Sequence, residues 1–266
     1  MGTVEPIREP NAVDQCIFAL QFSRELNEAE TAKLQSLKSD LGDFLPQHND
    51  ITVTGFELGT GEVRQHAEKI AGVRMLSENK ECPHKIVPNR PDWQLEVASN
   101  HLRIHSLNYD GWASVKKKAL EYIHAVKSAL AETDVTIVRI ILQVNDIFLF
   151  NGEETEYQQS TLFKEDSAYL TKHSRSTGWL WHVHQGWFEQ CQGSRLLHVL
   201  NVGTKRDAGK PHLTIIEHVM QLHGVWSLST LGNEDLQTAF DELHIKNKSI
   251  VRDLLCPSVL KRIGLQ

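Results

Sequence analysis

Residues 135–150 read VTIVRIILQVNDIFLF, a run crowded with Val, Ile and Phe. Such side chains fit a pleated, half-buried surface. Sixteen residues also far exceed a usual strand of about 5–6. A strand this long needs partners along both edges, so the run commits the chain to a broad sheet. Three more strands are expected after it, at 178–190, 195–203 (RLLHVLNVG) and 212–223 (HLTIIEHVMQLH). The link TKRDAGKP between the last two has the Asp, Gly and Pro of a hairpin end. Strands joined by links this short must run antiparallel.

The first half supplies further strands and two helices. CIFALQFSREL (16–26) is apolar at both parities, which suits a strand central in a sheet. Asn27, with Glu30 three residues on, forms a capping pattern. The helix it opens aligns Leu34, Leu37, Leu41 and Phe44 or Leu45, and Pro46 ends it. ITVTGFELG (51–59) reads as a strand, residues 60–92 as a polar excursion, and 93–107 as a hairpin turning at Ser99–Asn100. A helix follows through Trp112, Val115, Ala119, Tyr122, Ile123, Val126 and Leu130. Lys116, Lys117 and Lys118 lie mostly off that stripe and are expected to be solvated. The final helix starts at Asn233 and stops before Pro257. The expected class is α+β, a mainly antiparallel sheet with long helices packed on one face and a C-terminal helix. One domain spans 1–266, with a division near residue 150 into two subdomains (about 1–150 and 151–266) as the alternative.

Charge and cysteine content narrow the function classes. A net charge of −6 argues against non-specific nucleic-acid binding, which needs clustered cations to displace counterions. Cys16, Cys82, Cys191 and Cys256 are widely spaced, as expected for reduced thiols rather than a disulfide or zinc framework. The N-terminus has no apolar signal core, and Pro6 stands where an N-myristoylation motif needs Ser or Thr. No apolar run approaches the roughly 18 residues of a membrane span. These features point to a cytoplasmic protein without membrane association.

Catalytic motifs are missing. The GTG at 59–61 has Arg64 where a dinucleotide fingerprint needs glycine, and no P-loop, GxSxG or HExxH occurs. Glu153, Glu154 and Glu156 read as solvated surface. The one stretch that invites a site is WLWHVHQGWFEQC (179–191). In a strand, Trp179, Trp181, Val183 and Trp187 share one face and Leu180, His182, His184 and Phe188 the other. Two readings follow. The tryptophans form a core or an interface with a protein partner or a second copy, with no catalytic residues and no cofactor. Alternatively His182 and His184, completed by His198 or His218, hold zinc or iron in a metal-dependent enzyme. His101 and His105 share a parity in the earlier hairpin and make a similar pair. A grip of the sheet and terminal helix around an apolar small molecule is a third reading.

Four segments, in order, resemble a sporadically distributed bacterial family. They are CIFALQFSREL, the Y-x-x-W region HLRIHSLNYDGWASVKKKALEYI, the strand VRIILQVNDIFLF, and the terminal LHIKNKSIVRDLLCPSVLKRIG. The family's Arg-Tyr-Ile-Asn in the third segment is Leu142, Gln143, Val144 and Asn145 here, and the pair His182 and His184 lies outside its pattern. The patchy distribution implies an accessory gene on mobile loci, with a defence or toxin–antitoxin setting. The resemblance supplies no catalytic residue set.

Overall fold

The computed structural model describes residues 2–54, 56–58, 63–65, 68–78, 86–87, 89–191, 193–206 and 212–265. In chain order come β1 (Thr3–Pro6), β2 (Val13–Phe22), α1 (Glu28–Lys33) and α2 (Leu37–Leu41). Then follow β3 (Gln47–Val53), β4 (Phe56–Leu58), β5 (Val63–Gln65), β6 (Lys69–Leu76), β7 (Trp93–Ala98) and β8 (His101–Ser106). After α3 (Trp112–Ala129) come β9 (Thr136–Asn151), α4 (Lys172–Arg175), β10 (His182–Cys191), β11 (Ser194–Lys205) and β12 (His212–Ser227). The chain closes with α5 (Asn233–Leu254) and α6 (Pro257–Arg262). β4 and β5 form a separate two-stranded ladder.

All other strands join one antiparallel sheet in the order β10-β11-β12-β9-β2-β8-β7-β6-β3. Its long strand β9 is flanked on one edge by β12, from His212↔Phe150 to Ser227↔Thr136. On the other edge it meets β1 and then β2. Every turn of this apolar run therefore finds ladder partners, which is why it can be so long. β2 lies mid-sheet, as its two-sided apolarity implied.

Burial alternates along the strands and divides the sheet into two faces. On the inner face Phe18, Leu20, Leu142, Leu95, Leu196 and Met220 join Val115, Ile123, Leu236 and Phe240 from α3 and α5 in one core. Phe18 meets Phe240 edge-on at 5.0 Å. A second core gathers Phe148, Phe150, Trp181, Leu200 and Ile216 under Ile250, Leu254 and Leu260. The opposite face is partly open and mixed, with Gln15, Gln21, Gln143 and Asn145 interleaved with half-buried Ile17, Ile141, Val199 and Val219.

Local signals explain the helix ends. The Glu30 N–H donates to Asn27 Oδ1 and the Asn27 N–H to Glu30 Oε2, both at 2.9 Å, closing the expected capping box. Among the described residues only α3 and α5 are long helices, and the others have six residues or fewer. A 3-10 turn at Leu34–Ser36 splits the first expected helix into α1 and α2. Phe44 is exposed, leaving Leu45 as the buried member of that stripe. Two further expectations are corrected. β3 begins at Gln47, four residues early, and β6 occupies part of the supposed polar excursion. Val73 and Met75 bury on alternate positions of β6 between lysine, arginine and glycine, a short strand whose pattern is masked by its flanks. Residues 59–62, holding the GTG, and Cys82 lie outside the described residues. Among the described residues, no helix is long and apolar enough to cross a membrane.

Candidate functional site

The ladder decides what the Trp/His run can do. Side chains opposite each other in an antiparallel pair project to the same face. His182 lies opposite Gly203 and His184 opposite Asn201, whereas His198 lies opposite Trp187 and His218 opposite Leu200. His182 and His184 therefore stand on the open face, where His184 Nδ1 meets Asn201 Oδ1. His198 and His218 are buried on the inner face. The expected four-histidine zinc or iron set is thus split across the thickness of the sheet. No group of three or more His, Cys, Asp or Glu able to hold a metal occurs among the described residues. His101 is held by Glu96 at 3.2 Å and His105 by Gln15 at 2.7 Å, so that pair is divided between separate partners.

The tryptophans are engaged within the fold. Trp181 is buried and meets Phe163 edge-on at 5.7 Å. Trp179 lies edge-on to His212 at 5.5 Å. Trp187 stacks between Tyr169 at 5.4 Å and His198 at 4.8 Å. Of the two expected roles, core or interface, Trp181 takes the first, and Trp179 and Trp187 pack partly buried against the same core. The large apolar side chains that β10 and its approach expose are Leu180 and Phe188, at 61% and 57% exposure.

A polar chain runs inward from the surface pair Lys246 and Glu189 to buried His198 and His218. Lys246 Nζ lies 2.6 Å from Glu189 Oε1, which lies 3.4 Å from His198 Nε2. His198 Nδ1 and His218 Nε2 are 3.0 Å apart, and His218 Nδ1 and Asn247 Oδ1 2.9 Å. If His218 Nδ1–H donates to Asn247 Oδ1, neutral rings place the His198 Nε2 lone pair against the Glu189 carboxylate. Half a turn of the Asn247 amide reverses every donor, and His198 Nε2–H then donates to Glu189. Burial holds the pKa of His218 down to about 4, so it stays neutral at physiological pH.

Asn247 connects that chain to a cavity of about 250 Å³ where the two cores meet. Val13, Cys16, Val144 and Asp146 contribute from β2 and β9. Asn11, Tyr109 and Trp112 come from the segments before β2 and around the start of α3, and His244, Asn247 and Lys248 from α5. Val251, Ile263 and Leu265 close its apolar side. The Trp112 wall is fixed on three sides. It stacks on His244 at 4.0 Å and on Phe18 at 5.5 Å, and its Nε1–H donates to Asp241 Oδ1 at 2.6 Å. Lys116 pairs with the same Asp241 at 2.6 Å, so one member of the lysine run ties α3 to α5 instead of being solvated.

Asp146 is the unusual group here. Its side chain is 5% exposed, faces inward with Val144 and Phe148, and makes no hydrogen bond or ion pair among the described residues. Burial, reinforced by the nearby charge of Asp14, raises its pKa to about 7. Burial also raises the Cys16 thiol and the Tyr109 phenol, each further opposed by the Asp146 charge. His244 is held down to about 4 by burial and by Lys248. Two more buried polar atoms lack partners, Asn11 Oδ1 and His244 Nδ1. A wider hollow of about 470 Å³ beside Tyr157 and Phe163 lacks this character, since its Arg175 donates to the Glu165 carbonyl.

Sequence reasoning passed over this constellation. The available signal was an aspartate within VNDIFLF, at the parity that the flanking Val144 and Phe148 send inward. Tyr109, Trp112, His244, Asn247 and Lys248 come from two distant stretches of sequence and meet at the cavity. No protein-family model matches the chain, and no curated protein does.

Proposed function

We propose that the chain is a protein-binding assembly component that joins a second copy of itself by strand pairing along β10. The observation that carries this reading is a bare sheet edge. β10 pairs with β11 without interruption from His182↔Gly203 to Cys191↔Ser194, and no described strand covers its other side. Exposed edges are ordinarily blunted by Pro, Lys, a bulge or shortness. β10 has ten residues, no Pro or Lys, and an unbroken register. The far edge, β3, is seven polar-rich residues with a register break between Ile51 and Thr52.

The strand is also self-complementary. In an antiparallel two-fold pairing centred on Gly186, His184 would face Phe188 and His182 would face Gln190. Glu189 would face Val183, and Gln185 would face Trp187. No like charges oppose one another, and an imidazole meets a phenyl ring across the join. Such an isologous contact closes at two copies. Leu180 and Phe188 would extend it on the open face. Binding through backbone groups asks for no reactive side chain, in keeping with the missing catalytic motifs.

Size-exclusion chromatography with light scattering tests the reading. The wild type is expected at twice the monomer mass at micromolar concentration. The double variant His184→Lys/Phe188→Lys sets lysines against lysines across the join. It is expected to run as a folded monomer, because both side chains are exposed. A wild type that stays monomeric, or a double variant that still dimerises, would overturn the proposal.

A further inference from the structure

The geometry points to a second, unrelated site: the cavity at Asp146 binds a small zwitterion of amino-acid size, its primary ammonium on Asp146 and its anionic group toward Lys248. An ammonium presents three N–H donors. The cavity offers three acceptors without described partners: the Asp146 carboxylate, Asn11 Oδ1 and the Tyr109 hydroxyl. Burying a carboxylate with no counter-charge costs so much that native proteins nearly always pair it. The charge that acts on it is another acid, Asp14, which is itself held by Arg90 at 3.0 Å. A ligand ammonium would supply the counter-charge that no described residue gives it.

Lys248 supplies the other half of the recognition. It lines the same cavity yet forms no ion pair among the described residues, with Asp146 or any other acid. Two opposite charges that face one hollow and do not meet leave room for a molecule carrying both signs. Trp112, held by its stack on His244, lines the same cavity as a rigid wall. The small volume admits a compact molecule and excludes a peptide or nucleotide.

Titration calorimetry on the full chain tests this with glycine, 4-aminobutyrate, methylammonium and acetate as probes. One or both zwitterions are expected to bind, methylammonium more weakly, and acetate not at all. Asp146→Asn keeps the side-chain volume and removes the charge, and should weaken every ammonium probe by about a hundredfold. Lys248→Met should bring the zwitterions down to the methylammonium level and leave methylammonium unchanged. Wild-type affinity should also fall as pH drops below 7, where Asp146 takes up its proton. Of the other groups facing it, Cys16, Tyr109 and His244 remain neutral there and Asp14 is paired, and Lys248 is the remaining charged side chain at the cavity. Thermal melts of both variants confirm folding. Acetate binding as well as glycine, zwitterion affinity unchanged in either folded variant, or no probe binding at millimolar concentration would overturn the assignment.

Discussion

Replacing Asp146 with Asn should make this protein more stable at pH 8. The carboxylate is buried and makes no hydrogen bond among the described residues, and burial moves its pKa from 3.8 to about 7. Between those values the folded state holds a proton that the unfolded state has released, so stability falls as pH rises. Three pH units at 1.36 kcal/mol each amount to about 4 kcal/mol, an upper limit because local relaxation softens the penalty. A neutral Asn resembles the protonated acid, so the two proteins should be nearly equal at pH 4. About 3 kcal/mol of the difference should open between pH 5 and 8. Urea unfolding followed by tryptophan fluorescence across that range measures it directly. His105, His218 and His244, all held down to about 4, weaken the fold as pH falls below 6.5. They are present in both proteins and cancel in the difference. A variant less stable than wild type at pH 8, or a gap that stays constant from pH 5 to 8, would refute the reasoning. A carboxylate that costs the fold this much has a reason to be there only if something else requires it.

Two other substitutions probe separate links. His218→Gln should lower stability at pH 8 by breaking the contacts to His198 and Asn247, yet flatten the acid limb. The wild-type ring, forced to stay neutral down to about 4, forfeits about 3 kcal/mol between pH 6.5 and 4, and an unchanged acid slope in the variant would count against that account. Phe240→Ala removes a fully buried ring that packs on Phe18, and should cost about 3–5 kcal/mol in urea unfolding. Phe44→Ala, at an exposed position, should cost under about 0.5 kcal/mol, and similar losses for the two would contradict the assigned core.

Local pattern determined a good deal of this protein. The β-branched run that became β9, the Ser99–Asn100 turn, the Asn27/Glu30 cap and the stripes of α3 and α5 all rest on interactions within a few residues of one another. Strand periodicity likewise divided WLWHVHQGWFEQC into a tryptophan side and a histidine side, and that division holds in the sheet. β6 escaped notice because its alternation spans only eight residues, among polar flanks.

Which side faced inward, and what met there, was a matter of tertiary structure. Parity cannot say whether an indole or an imidazole turns toward the helices. The register with β11 and β12 sent Trp187, His198 and His218 one way and His182 and His184 the other. The cavity is more distant still from local pattern. Asn11, Tyr109, Asp146 and Lys248 come from four separate parts of the chain and converge only where α5 crosses the sheet. A carboxylate in a strand is unremarkable by sequence. Its cost arises from the removal of water and the lack of a counter-charge, and both depend on packing across the whole fold.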